Sequence, residues 1–139
     1  MKKLDLTHLN PEQHRAVQTI DKPVLLLAGA GSGKTRVITY RIAHLVSNCK
    51  VPPPQILALT FTNKAAAEMR ERVQELLPKN SKGLTVTTFH SLCVRFLREY
   101  IHLLGYQKDF VIFDTASQMS TLKTIYEDED IDAQTYNLK

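Results

Sequence analysis

Tryptophan is absent from the chain and cysteine is scarce, with Cys49 and Cys93 the only two. Thiols so far apart in sequence offer neither a metal-ligand pair nor a disulfide framework, so no covalent staple is predicted and a reducing, cytoplasmic home is expected. Long apolar runs are missing as well. The longest, Val24 to Leu27 extended by small residues, falls far short of the roughly 18 residues a membrane-spanning helix needs. Behind Met1, Lys2 and Lys3, the residues Asp5, Thr7, His8 and Asn10 interrupt any apolar stretch, which predicts no secretion signal and no membrane partner. Glycine is sparse too: there are five, and three of them are Gly29, Gly31 and Gly33.

What is present is ordinary globular material. The chain has 139 residues and 15.8 kDa, 43% of them hydrophobic and 23% charged, which suits one domain at most. A chain of about 140 residues can bury roughly two thirds of its unfolded surface, enough for a core without bridges. The net charge is +4, from 18 Lys+Arg and 14 Asp+Glu. A mild basic excess points to an anionic partner only if it is concentrated somewhere.

Hydrophobic periodicity alternates between strand and helix. Asn10-Pro11-Glu12-Gln13 supplies an N-cap, a proline at the first helical position, an early acid and a capping-box glutamine, predicting a helix that ends near Ile20 and Asp21. Val24-Leu25-Leu26-Leu27-Ala28 is apolar on both faces, as a buried parallel strand is. Gly29 to Gly33 is a loop, and from Lys34 the residues Val37, Ile38, Ile42, Leu45 and Val46 recur at helical spacing until Pro52-Pro53-Pro54 forbids continuation. Ile56 to Phe61 is predicted as a second strand, Lys64 to Leu77 as a helix, Leu84 to Thr88 as a third strand, and Ser91 to Leu104 as a helix closed by Gly105. A short apolar run, Phe110 to Phe113, precedes a last helix expected to be capped by Thr115 with Gln118 three residues on, and residues 134–139 show no apolar pattern. Alternating strands and helices predict an α/β fold built from parallel βαβ units.

The string Ala28-Gly29-Ala30-Gly31-Ser32-Gly33-Lys34-Thr35 lies between a predicted strand and a predicted helix, the context of a Walker A phosphate loop. Glycines let successive backbone N–H groups face one anion, and the helix that follows adds its positive end. Lys34 would reach the β- and γ-phosphates of a nucleoside triphosphate, and Thr35 would place its hydroxyl on Mg²⁺. The general pattern has Gly where this chain has Ala28, a residue small enough to keep the loop plausible. By itself the loop does not say which kind of NTPase carries it.

Four blocks in order, over Leu9 to Asp114, resemble the N-terminal part of UvrD/Rep/PcrA-type superfamily 1 DNA helicases. Leu9-Asn10-Pro11-Glu12-Gln13 with Ala16-Val17 resembles the Q motif, and the resemblance implies that Gln13 bonds the adenine edge; its capping-box role is an equally physical reading. Ala28 to Thr35 followed by Arg36 and Val37 is similar to the family's Walker A, which implies Arg36 against an adenine face. Thr60-Phe61-Thr62-Asn63-Lys64-Ala65-Ala66-Ala67-Glu68-Met69 resembles motif Ia, implying single-stranded DNA contacts by Phe61, Thr62, Asn63 and Lys64. Thr87-Thr88-Phe89-His90-Ser91 resembles motif Ib, which implies DNA contacts by Thr88 and His90; a polar helix cap is the alternative for His90.

The resemblance implies a RecA-like three-layer sandwich, here incomplete, with 1–108 as part of the first ATP-binding domain and 109–139 as the start of an inserted helical subdomain. It also implies an ATP- and Mg²⁺-dependent 3′→5′ helicase of repair or replication, acting on single-stranded DNA and duplex junctions together with the remainder of its chain. No Asp-Glu-x-Gln string, the family's Walker B signature, occurs, so these residues alone are expected to bind nucleotide and not to unwind. Two other readings stay open: a small self-sufficient P-loop kinase or NTPase using Asp114 at the end of Phe110 to Phe113, and a non-catalytic nucleotide- or DNA-binding module. Asp114 is read as structural, since Thr115 stands where the helicases have a catalytic glutamate. Residues 1–108 hold 16 Lys+Arg against 7 Asp+Glu, and residues 109–139 hold 2 against 7. The small net charge therefore hides a strongly basic part and an acidic end.

Overall fold

The computed structural model describes residues 4–131; Met1 to Lys3 and the stretch 134–139, expected to lack an apolar pattern, lie outside them. The chain divides into two compact units, Met1–Arg95 and Phe96–Lys139. In the first unit, α1 (Pro11–Gln18) begins with the full capping box: Gln13 N–H donates to Asn10 Oδ1 at 2.8 Å and Asn10 N–H to Gln13 Oε1 at 3.2 Å. It stops two residues earlier than predicted, at Gln18. There the guanidinium of Arg41 donates to the carbonyls of Ala16 and Thr19, a cation placed where the helix end is negative.

The helix α2 (Lys34–Ser47) starts behind the phosphate loop, α3 (Asn63–Leu76) follows β1 (Leu57–Thr60), and β2 (Thr85–Thr88) pairs with β1 in parallel. Two apolar clusters grip α2 from opposite sides. Val37 packs with Leu6, Leu9, Ala16 and Val17 of the α1 region, whereas Ile42, Ala43 and Val46 pack with α3 and the strands through Met69, Val73, Ala58 and Val86. At about 100° per residue, positions five to nine beyond Val37 lie about 140–240° around the helix, so one amphipathic design serves two cores.

The predicted α/β class holds, but the full three-layer sandwich does not form among the described residues. Val24 to Ala28 is not a strand: it forms no regular element, with Leu25 at 84% and Leu27 at 85% exposure. A buried strand needs both a ladder partner and covering faces, and only β1 and β2 pair among the described residues.

The second unit carries the end of α4 (Phe89–Tyr100), a 3-10 turn over Ile101–Leu104 that Gly105 closes, and α5 (Thr115–Asp128). Thus the predicted helix to Leu104 changes pitch in its last turn. The N-cap of α5 is Asp114, not Thr115: its carboxylate accepts Ser117 N–H at 2.7 Å. Hydrogen bonding from Ser117, its side chain first and its backbone N–H second, holds the Asp114 pKa below the usual aspartate value, as suits an N-cap acid. The run Phe110 to Phe113 is irregular, with Val111, Ile112 and Phe113 exposed, and Arg98 lies over the Phe110 ring at 5.0 Å.

His44, on the buried side of α2, lies with Nδ1 3.1 Å from Asn48 Nδ2. Burial, then the charges of Arg41 and His14, pushes its pKa below the ordinary histidine value. A folded pKa below the unfolded one means the unfolded chain binds the extra proton first. The contribution is complete above about pH 6.5 and is lost as pH falls through the folded value. Melting temperature should therefore drop between neutral pH and pH 5, and His44→Gln should flatten that drop; equal pH profiles for both proteins would contradict it.

Candidate functional site

The phosphate loop owes its shape to two left-handed glycines. Gly31 has φ +74° and Gly33 φ +86°, conformations that cost an L side chain roughly 1–2 kcal/mol. A Cβ at Gly33 would also come within 3.1 Å of Gln13 Nε2. Ala28, by contrast, is not among the positive-φ residues, so alanine carries no backbone strain where the general motif has glycine.

Lys34 Nζ donates to Ala28 O at 3.0 Å and Gly29 O at 2.6 Å, and Ser32 Oγ donates to Gly29 O at 2.7 Å. The ammonium is thus held over the loop by the loop's own carbonyls. Asn10, Thr62 and Asp114 each cap their helix with a side chain, but α2 begins at Gly33 with none. The first-turn N–H groups of Lys34, Thr35 and Arg36 therefore lack intrahelical acceptors, and their dipole favours an anion. Thr35, half-buried, sits in this first turn. The donor set fits a triphosphate: backbone N–H groups, one ammonium and one hydroxyl within a few residues.

Gln13 performs more than its cap. Its Nε2 donates to Ser32 O at 3.1 Å while Oε1 accepts from Asn10, so one side chain ties the start of α1 to the phosphate loop. A primary amide has two N–H donors and two lone pairs. One of each is used internally, leaving the donor and acceptor that an adenine edge requires, so the two readings of Gln13 do not compete.

Arg36 is exposed, with its guanidinium 5.9 Å from the Tyr40 ring, which also meets His8 at 4.7 Å, edge to face. Tyr40 was not singled out from sequence, although its i, i+4 spacing from Arg36 is the signal that could have found it. Arg41 offered no such signal, because its partners are carbonyls more than 20 residues away.

The second group of candidates gathers at one edge of the sheet. In the parallel register Thr60 is opposite Thr88, so the residues after β1 and those after β2 leave the same, carboxyl-terminal edge, where open α/β sheets bind ligands. Phe61 is 83% exposed there. Thr62 caps α3, accepting Ala65 N–H at 3.1 Å, and its own O–H remains a donor. Asn63 and Lys64 are exposed in the first turn of α3, and His90 in that of α4. Thr88 differs: it is buried, donates to Ser91 Oγ at 2.9 Å and accepts Ser91 N–H at 3.2 Å. Its hydroxyl is bonded within the turn that includes His90.

Among the described residues no group of three or more His, Cys, Asp or Glu could hold a metal, and no helix is long and apolar enough to cross a membrane. The carboxylate of Asp114 is engaged in capping α5, the structural role expected for it.

A family profile described as the UvrD/REP helicase N-terminal domain matches residues 9–139. The chain is 50% identical over 132 residues to the ATP-dependent DNA helicase PcrA of Bacillus subtilis strain 168, covering 95% of this chain and 18% of that protein. It is 47% identical over 131 residues to the PcrA helicase of Staphylococcus aureus strain Mu50 (94% and 18%) and 49% identical over 130 residues to that of Leuconostoc citreum (93% and 17%). The chain therefore spans less than a fifth of these curated relatives.

Proposed function

The chain belongs to the UvrD/REP helicase N-terminal domain family, and on that premise we propose that it is the ATP-gripping part of a DNA helicase that couples ATP hydrolysis to 3′→5′ movement along single-stranded DNA in repair or replication. The observation that carries the reading is the phosphate loop with Lys34 held over it, on a helix whose start is left without a side-chain cap. Gly29 to Thr35 would bind the triphosphate, Thr35 would ligate Mg²⁺, and Gln13 and Arg36 would take the adenine. When bound, Mg²⁺ supplies charge neutralisation at the phosphates.

Phe61, Thr62, Asn63, Lys64 and His90 would form the single-strand contact. Their position supports coupling, since α2 and α3 share one apolar cluster and each begins at one of the two ligand regions. Support for the polarity and for a cytoplasmic, nucleoid-associated setting comes from the family resemblance. On the same premise 1–108 would belong to the first RecA-like domain and 109–139 would open an inserted subdomain.

In a protein carrying these residues with the rest of a helicase chain, ATP hydrolysis should rise on adding single-stranded DNA, and a 3′-tailed duplex should be unwound in preference to a 5′-tailed one. Hydrolysis indifferent to DNA, or a demand for the 5′ tail, would overturn the reading. Residues 1–139 alone should bind ATP·Mg²⁺ without sustained turnover. Multiple-turnover hydrolysis by them, abolished in Lys34→Ala, would favour the self-sufficient NTPase.

A further inference from the structure

The opposite, amino-terminal edge of the sheet holds a second basic feature that the ATP and single-strand readings leave unused. A cavity of about 290 Å³ lies between the segment leading into β1 and the one leading into β2. Lys50, Lys79, Lys82 and Asn80 line it over the apolar side chains of Val46 and Val51, and among the described residues no acidic one takes part.

The walls are built, not draped. Lys50 adopts φ +62°, and Pro52 and Pro53 restrict the segment ahead of β1. Gly83, at φ +89°, lets the other segment close in: a Cβ there would lie 2.8 Å from Pro54 Cγ. Backbone bonds pin each side, Val51 N–H to Leu45 O at 2.9 Å and Asn80 N–H to Leu77 O at 3.1 Å.

Part of the charge has a local use. Lys50 Nζ donates to Ser47 O at 2.6 Å, at the carbonyl end of α2, as a cation at a helix C-terminus does. Lys79 and Lys82 are exposed, and no ion pair or hydrogen bond engages either side chain among the described residues. Like charges lining one cavity repel one another, and an anion at Lys79 and Lys82 relieves that.

The lining also selects the anion. Lysines are point charges suited to phosphate, without the planar fork by which arginine reads a base edge. Among the described residues no aromatic ring lines the cavity, so they offer no stacking surface for an unpaired base, in contrast with the Phe61 edge. A site of charge without stacking matches a strand whose bases are turned inward. We propose that this cavity holds a backbone phosphate of duplex DNA, as an anchor separate from the single-strand edge. The strands are four residues long, so the two edges are on the order of 10 Å apart. One module could then touch paired and unpaired DNA on different sides. The inference rests on the nucleic-acid reading for the source of its phosphate.

The test is fluorescence anisotropy with the helicase carrying these residues, using a blunt 20-base-pair duplex, an oligo-dT strand and inorganic phosphate as separate probes. For Lys79→Ala/Lys82→Ala, duplex affinity should fall roughly tenfold at low salt, and the slope of log K against log salt should shrink by about two. The oligo-dT affinity and DNA-independent ATP hydrolysis should not change, and Lys79→Arg/Lys82→Arg should retain duplex binding. Unchanged duplex affinity and slope would overturn the proposal. So would competition by inorganic phosphate at the lysines with duplex binding unaffected, since the site would then serve a free anion. Phe61→Ala in the same titration separates the two failures. If it weakens oligo-dT while the lysine pair does nothing, the helicase reading stands and the anchor falls; if wild-type protein binds neither DNA, the helicase reading falls.

Discussion

Replacing Lys34 by alanine in the full helicase should lower ATP hydrolysis by about 10²–10³-fold, the usual loss when one preorganised donor to developing charge is removed. The reasoning starts from position. The carbonyls of Ala28 and Gly29 hold the ammonium at 3.0 and 2.6 Å, so little further ordering is needed when a triphosphate enters. Backbone N–H groups can share the phosphate charge but cannot supply a full unit of it, and among the described residues no other ammonium bonds to this loop. Lys34 is exposed, so stability should change by no more than about 0.5 kcal/mol. Circular dichroism melting and nucleotide titration separate a binding defect from a folding one. Hydrolysis within tenfold of wild type would remove Lys34 from the role.

Phe61→Ala should weaken single-stranded DNA binding by about 5- to 150-fold, corresponding to about 1–3 kcal/mol for one lost base stack. An 83% exposed phenylalanine buries too little surface to be held there by the core. It follows β1 directly, before the Thr62 cap turns the chain into α3. Phe61→Trp should retain affinity, because the face and not the identity of the ring does the stacking. Equal oligo-dT affinity for wild type and the alanine variant, measured by anisotropy, would place the strand elsewhere.

The structure separates what local chemistry writes into a sequence from what only distant partners decide. The α1 cap was legible because Asn10, Pro11 and Gln13 act within one turn, and the loop ahead of α2 because its glycines cluster there. Strand β1 and helix α3 fell within a residue or so of their predicted ends. Val24 to Ala28 was misread as a formed strand, because apolar composition states a need for burial and pairing but cannot state that a partner is present. The α5 cap was displaced by one residue: Thr115 and Asp114 are both good caps, and Asp114 is the one in extended conformation, with φ −76° and ψ 174°. Thr88, which its motif implies as a DNA contact, is buried with its hydroxyl bonded to Ser91. Alternation along a four-residue strand does not reveal which face is covered.

The amide of Gln13 joins the Asn10 N–H to the Ser32 carbonyl, which places one position under two simultaneous demands. Glutamate keeps the acceptor and forfeits the donor, asparagine is one carbon short of both, and methionine fills the space with neither. In a saturation library the tolerance profile should therefore be sharply uneven along the first turn of α1. Glu12, paired only with Arg15 at the surface, would accept most replacements, while its immediate neighbour would accept almost none.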